Sequence, residues 1–176
     1  MTIRRVRYVA ALALAATLAA GCQRRTTTVI LVRHAEREPI TPATPDPPLT
    51  PAGQARAQAL VQVANRAGLS AMFVTEFQRT QQTAQPVATA LGITPTVVNV
   101  GGNASQHAHA LAQTILGSHL GQAVLIVGHS DTVPLVIEAL GLTPGPAIGA
   151  NDFDRVFVVV KTESGSTRLI SARYSP

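Results

Sequence analysis

The feature that most constrains the fold is a series of short runs of β-branched and aliphatic residues, separated by helix-forming segments. The runs cover residues 26–33, 71–75, 94–100 and 122–128. A run that is apolar at almost every position is typical of a strand buried on both faces of a parallel sheet. The pattern therefore predicts an α/β fold, a three-layer sandwich with a mainly parallel central sheet flanked by helices.

The segments between these runs carry helix signals. Thr50-Pro51 predicts a helix start, with Thr50 as the N-cap and proline in the first helical position. Further helices are predicted over residues 80–92 and 105–117, and another from Pro134.

Two more strands are predicted after the last predicted helix, over residues 154–162 and 166–174. The residues between them, Glu163-Ser164-Gly165, predict a tight turn. This hairpin is expected to form a late antiparallel edge of the sheet.

Residues 1–22 are typical of an export signal rather than of a folded element. A basic start is followed by an apolar stretch that is shorter than the roughly 20 residues needed to span a bilayer. The ending ALAAGC resembles a bacterial lipoprotein signal, in which Cys22 would be lipidated. Gln23 is not the aspartate associated with inner-membrane retention. We therefore expect an exported, periplasmic protein, anchored by lipid to the outer membrane; an ordinary signal cleaved near Cys22 is the alternative.

Residues 23–176 are expected to form a single domain, and their charge argues against nucleic acid as a partner. The whole chain has a formal net charge of +5, but three arginines lie in its first seven residues. The remaining 11 basic and 9 acidic side chains nearly balance. With no Trp, two Tyr and four Phe, the chain also lacks the interleaved aromatic residues of a nucleic-acid-binding face.

Histidines and arginines follow three of the predicted strands. Arg33-His34 ends the first strand, Arg79 lies just beyond the second, and His129 follows the run 122–128. Ligands of open α/β sheets bind beyond the carboxyl ends of the strands, so these four side chains are expected to converge. An imidazole can attack phosphorus, and guanidinium groups match phosphate oxygens. The sequence therefore predicts a phosphate site with a nucleophile, which needs no metal or other cofactor.

Four blocks, in order, resemble the histidine phosphatase superfamily, which includes phosphoglycerate mutases and phosphohistidine phosphatases. They are LVRHAE (31–36), DPPLTPAGQARAQAL (46–60), TEFQRTQQTA (75–84) and VLIVGHSDTVP (124–134). The resemblance implies that His34 is the phosphorylated nucleophile and that Arg33, Arg79 and His129 bind the phosphoryl group.

The general acid that would protonate a leaving alkoxide is not evident. Many relatives carry an acidic residue after the third strand, but residues 97–107 contain no carboxylate. Asp131, Glu36 and Asp46 are candidate donors, and a site with no donor is a further possibility. Asp131 could equally serve as a helix N-cap near Pro134.

We therefore expect a phosphatase that hydrolyses small phosphomonoesters through a phosphohistidine on His34. Two alternatives stay open: a phosphohistidine or phosphoramidate phosphatase, and a non-catalytic envelope lipoprotein that binds a phosphorylated ligand. The sequence identifies neither the physiological substrate nor the oligomeric state.

Overall fold

A computed structural model describes residues 25–176, which form six strands and four helices. The strands are β1 (Thr26–Arg33), β2 (Leu69–Val74), β3 (Thr96–Val97), β4 (Ala123–Gly128), β5 (Arg155–Thr162) and β6 (Thr167–Arg173). The helices are α1 (Pro51–Ala64), α2 (Gln78–Leu91), α3 (Ala104–Ser118) and α4 (Thr132–Ala139). The expected export signal and Cys22 lie outside the described residues.

All six strands belong to one sheet, in the order β3-β2-β4-β1-β5-β6. β1 and β2 both pair in parallel with β4, and β2 also pairs in parallel with β3. β5 pairs antiparallel with β1 and with β6. The predicted mainly parallel sheet with a late antiparallel edge is therefore confirmed.

Helices cover both faces of the sheet, which confirms the three layers. On one face α3 and α4 pack against a core that includes Leu111, Ile137 and Phe157. On the other face α1 and α2 pack against a core that includes Leu60 and Val87. The central strands supply alternate residues to the two cores, which is why their sequences are apolar throughout.

The start of α1 agrees with its predicted capping. The Thr50 hydroxyl accepts a hydrogen bond from the Gly53 amide at 3.1 Å, and Pro51 occupies the first turn. Gly53 packs directly on the Glu36 carbonyl, where a Cβ atom would collide with the backbone. A side chain is excluded at this position, so α1 lies close against the segment that follows β1.

Several predicted elements begin or end a few residues from their observed bounds, and β3 differs most. β3 contains only Thr96–Val97, whereas a strand over 94–100 was predicted. The Val98 amide still donates to the Val74 carbonyl at 2.8 Å. The chain then leaves the sheet edge and turns at Gly101 and Gly102. α4 begins at Thr132, two residues before Pro134, because proline is tolerated in the first turn of a helix.

Within residues 25–176, none of the helices is long and apolar enough to cross a bilayer.

Candidate active site

A cavity of about 550 Å³ opens at the carboxyl ends of β1, β2 and β4. Its lining includes the four side chains predicted to converge: Arg33, His34, Arg79 and His129. The structure therefore brings together residues that are as far apart in sequence as His34 and His129.

Strand pairing places the two histidines. In the parallel pair β1 and β4, Arg33 lies opposite Gly128. One residue further on, the His34 amide still donates to the Gly128 carbonyl at 2.9 Å. The imidazole rings of His34 and His129 meet edge to face, with ring centroids 5.4 Å apart.

His34 is positioned to act as a nucleophile through one particular nitrogen. Its side chain is buried, and Nδ1 lies 2.8 Å from the Ala35 carbonyl. A carbonyl oxygen can only accept, so Nδ1 carries the hydrogen of the neutral ring and Nε2 keeps its lone pair. Nε2 is the atom that can attack phosphorus.

The His129 ring is held by the hydroxyl group of Thr75, which directly follows β2 and is itself hydrogen-bonded to Thr80 in α2. Its Nε2 lies 2.9 Å from Thr75 Oγ1, which in turn lies 3.0 Å from Thr80 Oγ1. The backbone amide of His129 donates to Thr132 Oγ1 at 2.9 Å. Both threonines around the ring are buried, so the imidazole is fixed rather than solvated.

Both imidazoles are neutral at neutral pH. Burial is the main cause that lowers the pKa of His34 from 6.5 to about 3, and nearby His129, Arg79 and Arg33 lower it further. Burial, followed by the charge of Arg79, lowers the pKa of His129 to about 3 as well. His34 therefore keeps an unprotonated ring nitrogen at neutral pH.

Arg33 is fixed by the loop that precedes β5. Its guanidinium donates to the carbonyls of Gly149 at 2.8 Å and Ala150 at 2.9 Å. It also lies over the ring of Phe153, 3.9 Å from the centroid, in a cation–π contact. The same ring lies 6.0 Å from that of His34.

Arg79 has a similar environment on the other side. Its guanidinium lies 4.2 Å from the centroid of the Phe77 ring, and the Phe77 ring also packs edge to face against His129 at 5.3 Å. Asp46 Oδ1 lies 3.4 Å from Arg79 Nη1. Each arginine is thus stacked on a phenylalanine that also contacts one of the histidines.

Both arginines keep a buried N–H group without a partner. The Nε atoms of Arg33 and Arg79 are buried and make no hydrogen bond. Burial also lowers the pKa of each guanidinium, and the charge of Arg37 lowers both further. Buried unpaired donors are costly, and phosphate oxygens are well suited to accept from guanidinium groups. The arrangement fits a phosphoryl dianion.

The three carboxylates considered as acids have different positions. Glu36 forms an ion pair with Arg56 at 2.7 Å and does not line the cavity. Asp46 is also absent from the lining and accepts from the Gln78 amide at 2.9 Å. Asp131 lines the cavity and, in addition, accepts from the Thr132 amide at 2.8 Å as the N-cap of α4.

Two charged residues of the cavity were missed by the sequence analysis. Arg37 lies three residues beyond His34, and Glu76 directly follows Thr75 at the end of β2. The Glu76 carboxylate accepts from the Val100 amide at 3.0 Å. Glu76 thus contacts the segment 97–107, which itself contains no carboxylate. Its position at a strand end, in the same block as Arg79, was the available signal.

Neither a second groove nor a metal-binding cluster adds reactive groups in the described part of the chain. A groove of about 880 Å³ between α1 and α2 is lined by glutamine, threonine and apolar side chains and contains no titratable group. Within residues 25–176, no three His, Cys, Asp or Glu side chains are grouped so that they could hold a metal ion.

Sequence comparison supports the resemblance inferred from the four blocks. The sequence profile of the histidine phosphatase superfamily (branch 1) matches residues 29–100. No curated protein matches the chain in sequence.

Solved structures with the same fold include phosphatases. A mycobacterial glucosyl-3-phosphoglycerate phosphatase in complex with VO3 has a TM-score of 0.66 at 15% identity, over 84% of this chain and 99% of its own. The protein histidine phosphatase SixA, complexed with tungstate, has a TM-score of 0.64 at 18% identity, over 83% and 96%. The SixA protein from Agrobacterium tumefaciens has a TM-score of 0.59 at 23% identity, over 81% and 95%. Together with the profile match, these structures confirm the predicted fold and family resemblance.

The depressed histidine pKa values predict that acid destabilises the empty protein. Below pH 6.5 a histidine in the unfolded chain is protonated, whereas buried His34 stays neutral down to about pH 3. The unfolded state therefore binds more protons between pH 6.5 and about pH 3, and folding stability falls as the pH falls through this range. The loss per histidine is up to about 1.4 kcal/mol per pH unit. We expect His34→Asn to flatten the fall in Tm between neutral pH and about pH 4.5, measured in phosphate-free buffer.

Exposed His109 provides the matched control. The variant His109→Asn should follow the wild-type curve. Parallel curves for His34→Asn and wild type would contradict a neutral, buried His34.

Proposed function

We propose that this chain, which resembles the histidine phosphatase superfamily over residues 29–100 and shares the fold of solved phosphatases, hydrolyses phosphomonoesters through a phosphohistidine on His34. The observation that carries the proposal is the His34 ring itself. Its Nδ1–H is held by the Ala35 carbonyl, so that Nε2 keeps a lone pair, and the ring lines a cavity together with half-buried Arg33 and Arg79.

The reaction has two displacements at phosphorus. First, His34 Nε2 forms a bond to phosphorus while the ester P–O bond breaks, and the alcohol leaves with the bonding electron pair. Second, a water oxygen attacks the phosphohistidine, the N–P bond breaks, and inorganic phosphate and neutral His34 are released. Water loses a proton in the second step, and the leaving oxygen gains one in the first.

The remaining groups stabilise the charge on the transferred phosphoryl group. Arg33 and Arg79 supply fixed positive charge and unpaired N–H donors, which match the equatorial oxygens. His129 can donate to the same oxygens if its hydrogen-bonded Nε2 accepts from Thr75, which leaves the hydrogen on Nδ1. These groups provide the electrostatic stabilisation themselves, and we propose that the activity is metal-independent.

The central test is removal of the nucleophile. We expect His34→Ala to lower the turnover of para-nitrophenyl phosphate by about a thousandfold or more, because the substitution removes the nitrogen that forms the proposed bond to phosphorus. All assays contain EDTA, and wild-type activity is expected to persist in it. Wild type mixed with labelled substrate and quenched in alkali should carry an acid-labile phosphate on His34.

His109→Ala, on the exposed face of α3, is the control and should retain wild-type turnover. Equal phosphate release by His34→Ala and wild type would disprove the mechanism. Loss of wild-type activity in EDTA, restored by a divalent cation, would disprove metal independence.

Asp131 is the proton donor we propose for esters with poor leaving groups. It lines the cavity and lies near Arg79, whose pKa its charge raises. The other carboxylate of the lining, Glu76, is engaged by the Val100 amide on the facing loop. Asp131 also caps α4, but one carboxylate oxygen suffices for the Thr132 amide and leaves the second oxygen for the substrate.

This assignment predicts a dependence on the leaving group. Asp131→Asn keeps an oxygen for the cap, so the fold should be preserved, but turnover of alkyl phosphates should fall by about 100-fold or more. Turnover of para-nitrophenyl phosphate should change little, since nitrophenolate needs no proton to leave. Glu76→Gln is the control, and a loss there that is confined to alkyl phosphates would transfer the role to Glu76.

A phosphohistidine or phosphoramidate phosphatase is the second candidate. It is favoured by the lack of any carboxylate in residues 97–107 and by the exposure of Asp131. This alternative requires faster turnover of phosphoramidates than of alkyl phosphates by the wild-type protein. The non-catalytic alternative draws no support from the profile match or from the solved phosphatases.

We further propose that the protein is exported to the bacterial periplasm and attached to the outer membrane by lipid on Cys22. The support is the basic and apolar pattern of residues 1–22 and its ALAAGC ending. Cells fed labelled palmitate should label the wild-type chain and not Cys22→Ser, which should move from the membrane to the soluble fraction. Wild type that stays unlabelled and soluble would disprove the anchor.

A further inference from the structure

Arg37 is a third arginine in the cavity that the reaction does not use. Its backbone is ordered by a bridge to Leu49, and the adjacent Glu38 amide donates to the Pro48 carbonyl at 2.9 Å. The side chain is half-buried and lines the cavity with Arg33 and Arg79. The position of this charge is thus set by the loop that follows the nucleophile.

The guanidinium of Arg37 lacks an anionic partner. Within residues 25–176 it lies within 4.0 Å of no carboxylate, and its one hydrogen bond runs to the Glu38 carbonyl at 2.9 Å. The other arginines around the site differ in this respect. Arg79 has Asp46 and a phenylalanine face, and Arg33 has two carbonyls and a phenylalanine face.

The carboxylates of the cavity do not neutralise Arg37. Glu76 is bound by the Val100 amide, and Asp131 is bound by the Thr132 amide. Asp46, beyond the lining, is engaged by Arg79 and the Gln78 amide. The charge of Arg37 instead acts on its neighbours, where it opposes the ionisation of Arg33 and Arg79. Three close guanidinium groups repel one another in the empty cavity, and bound anions relieve that repulsion.

One phosphoryl group is already provided for by Arg33 and Arg79, whose buried Nε–H groups are unpaired. A volume of about 550 Å³ is large for a phosphoryl group alone and falls within the range of small-molecule pockets. The cavity therefore has room for a leaving group, and Arg37 contributes a positive charge to the wall around it.

We propose that Arg37 binds a second anionic group, a carboxylate or a further phosphate, on the leaving group of the substrate. The inference rests on the proposed function and narrows its substrate class to phosphomonoesters with an acidic leaving group. A planar guanidinium binds either anion through paired N–H donors. Arg37 is thereby a specificity residue, whereas Arg33 and Arg79, with their buried and unpaired Nε atoms, serve the transferred phosphoryl group of every substrate.

The test uses two aryl phosphates that differ only in charge: carboxyphenyl phosphate and its neutral amide, carbamoylphenyl phosphate, each as the meta and the para isomer. Wild type should prefer the carboxylate in kcat/KM. Arg37→Gln should lower kcat/KM for the carboxylate about 10- to 100-fold and leave the amide nearly unchanged. Arg37→Lys should retain part of the preference.

Arg66→Gln is the matched control, because it removes the same charge from an exposed site outside the cavity lining. It should keep the wild-type preference. Retained turnover of the neutral amide shows that each Arg37 variant is folded. An equal loss of kcat/KM on both esters would indicate that Arg37 binds the transferred phosphoryl group. An unchanged preference in Arg37→Gln would indicate that Arg37 does not contact the leaving group. Either result overturns the proposal.

Binding separates this inference from the proposed function. The matched carboxybenzyl and carbamoylbenzyl phosphonates are not hydrolysed, and calorimetry measures their affinities without turnover. Wild type should bind the carboxylate more tightly, and Arg37→Gln should lose the difference. If Arg37→Gln loses the difference in affinity but the wild type hydrolyses no ester, the phosphatase function is rejected and the anion subsite is kept. If the wild type hydrolyses esters but binds both phosphonates equally, only the subsite is rejected.

Discussion

The site depends on the parallel pairing of β1 with β4. These are adjacent central strands of the sheet, their aliphatic residues 29–32 and 124–127 are all buried, and their register sets Arg33 opposite Gly128. The residue after each strand end is a histidine, so the register alone brings His34 against His129. A slip of one residue would send every side chain of β1 to the other face of the sheet. The apolar strands thus hold His34 beside His129, because a one-residue slip would break up two hydrophobic cores.

The same burial that fixes the fold creates the electrostatics of the site. Imidazoles that are buried beside arginines stay neutral, and half-buried guanidinium groups whose buried Nε–H groups are unpaired are well suited to bind an anion. Aromatic stacking partly compensates the cost of removing these charges from water. Two of the four phenylalanines of the chain, Phe153 and Phe77, lie against the guanidinium groups of Arg33 and Arg79. Their ring faces attract cations without neutralising them. The empty cavity therefore keeps its positive potential for a dianionic ligand.

Sequence reasoning worked where local rules decide the structure. Continuous apolar runs located the central strands, the Thr50 cap located α1, and strand ends located four residues that line the cavity. Sequence reasoning failed where a contact depends on how loops fold. Glu36 follows His34 by two residues, but Arg56, twenty residues away, binds its carboxylate outside the cavity. Arg37 and Glu76 enter the cavity through loop conformations that no periodicity encodes, and β3 is cut short because its segment turns away at a sheet edge.

The two kinds of site residue are anchored in different parts of the architecture. The histidines are fixed by the sheet, whereas the arginines are fixed by loops: carbonyls of Gly149 and Ala150 hold Arg33, and Asp46 holds Arg79. Loops accept substitutions and insertions that a packed sheet does not. A substitution in either loop can therefore shift a guanidinium group without disturbing the sheet that holds His34 and His129. The positions of the positive charges can thus change independently of the positions of the two imidazoles.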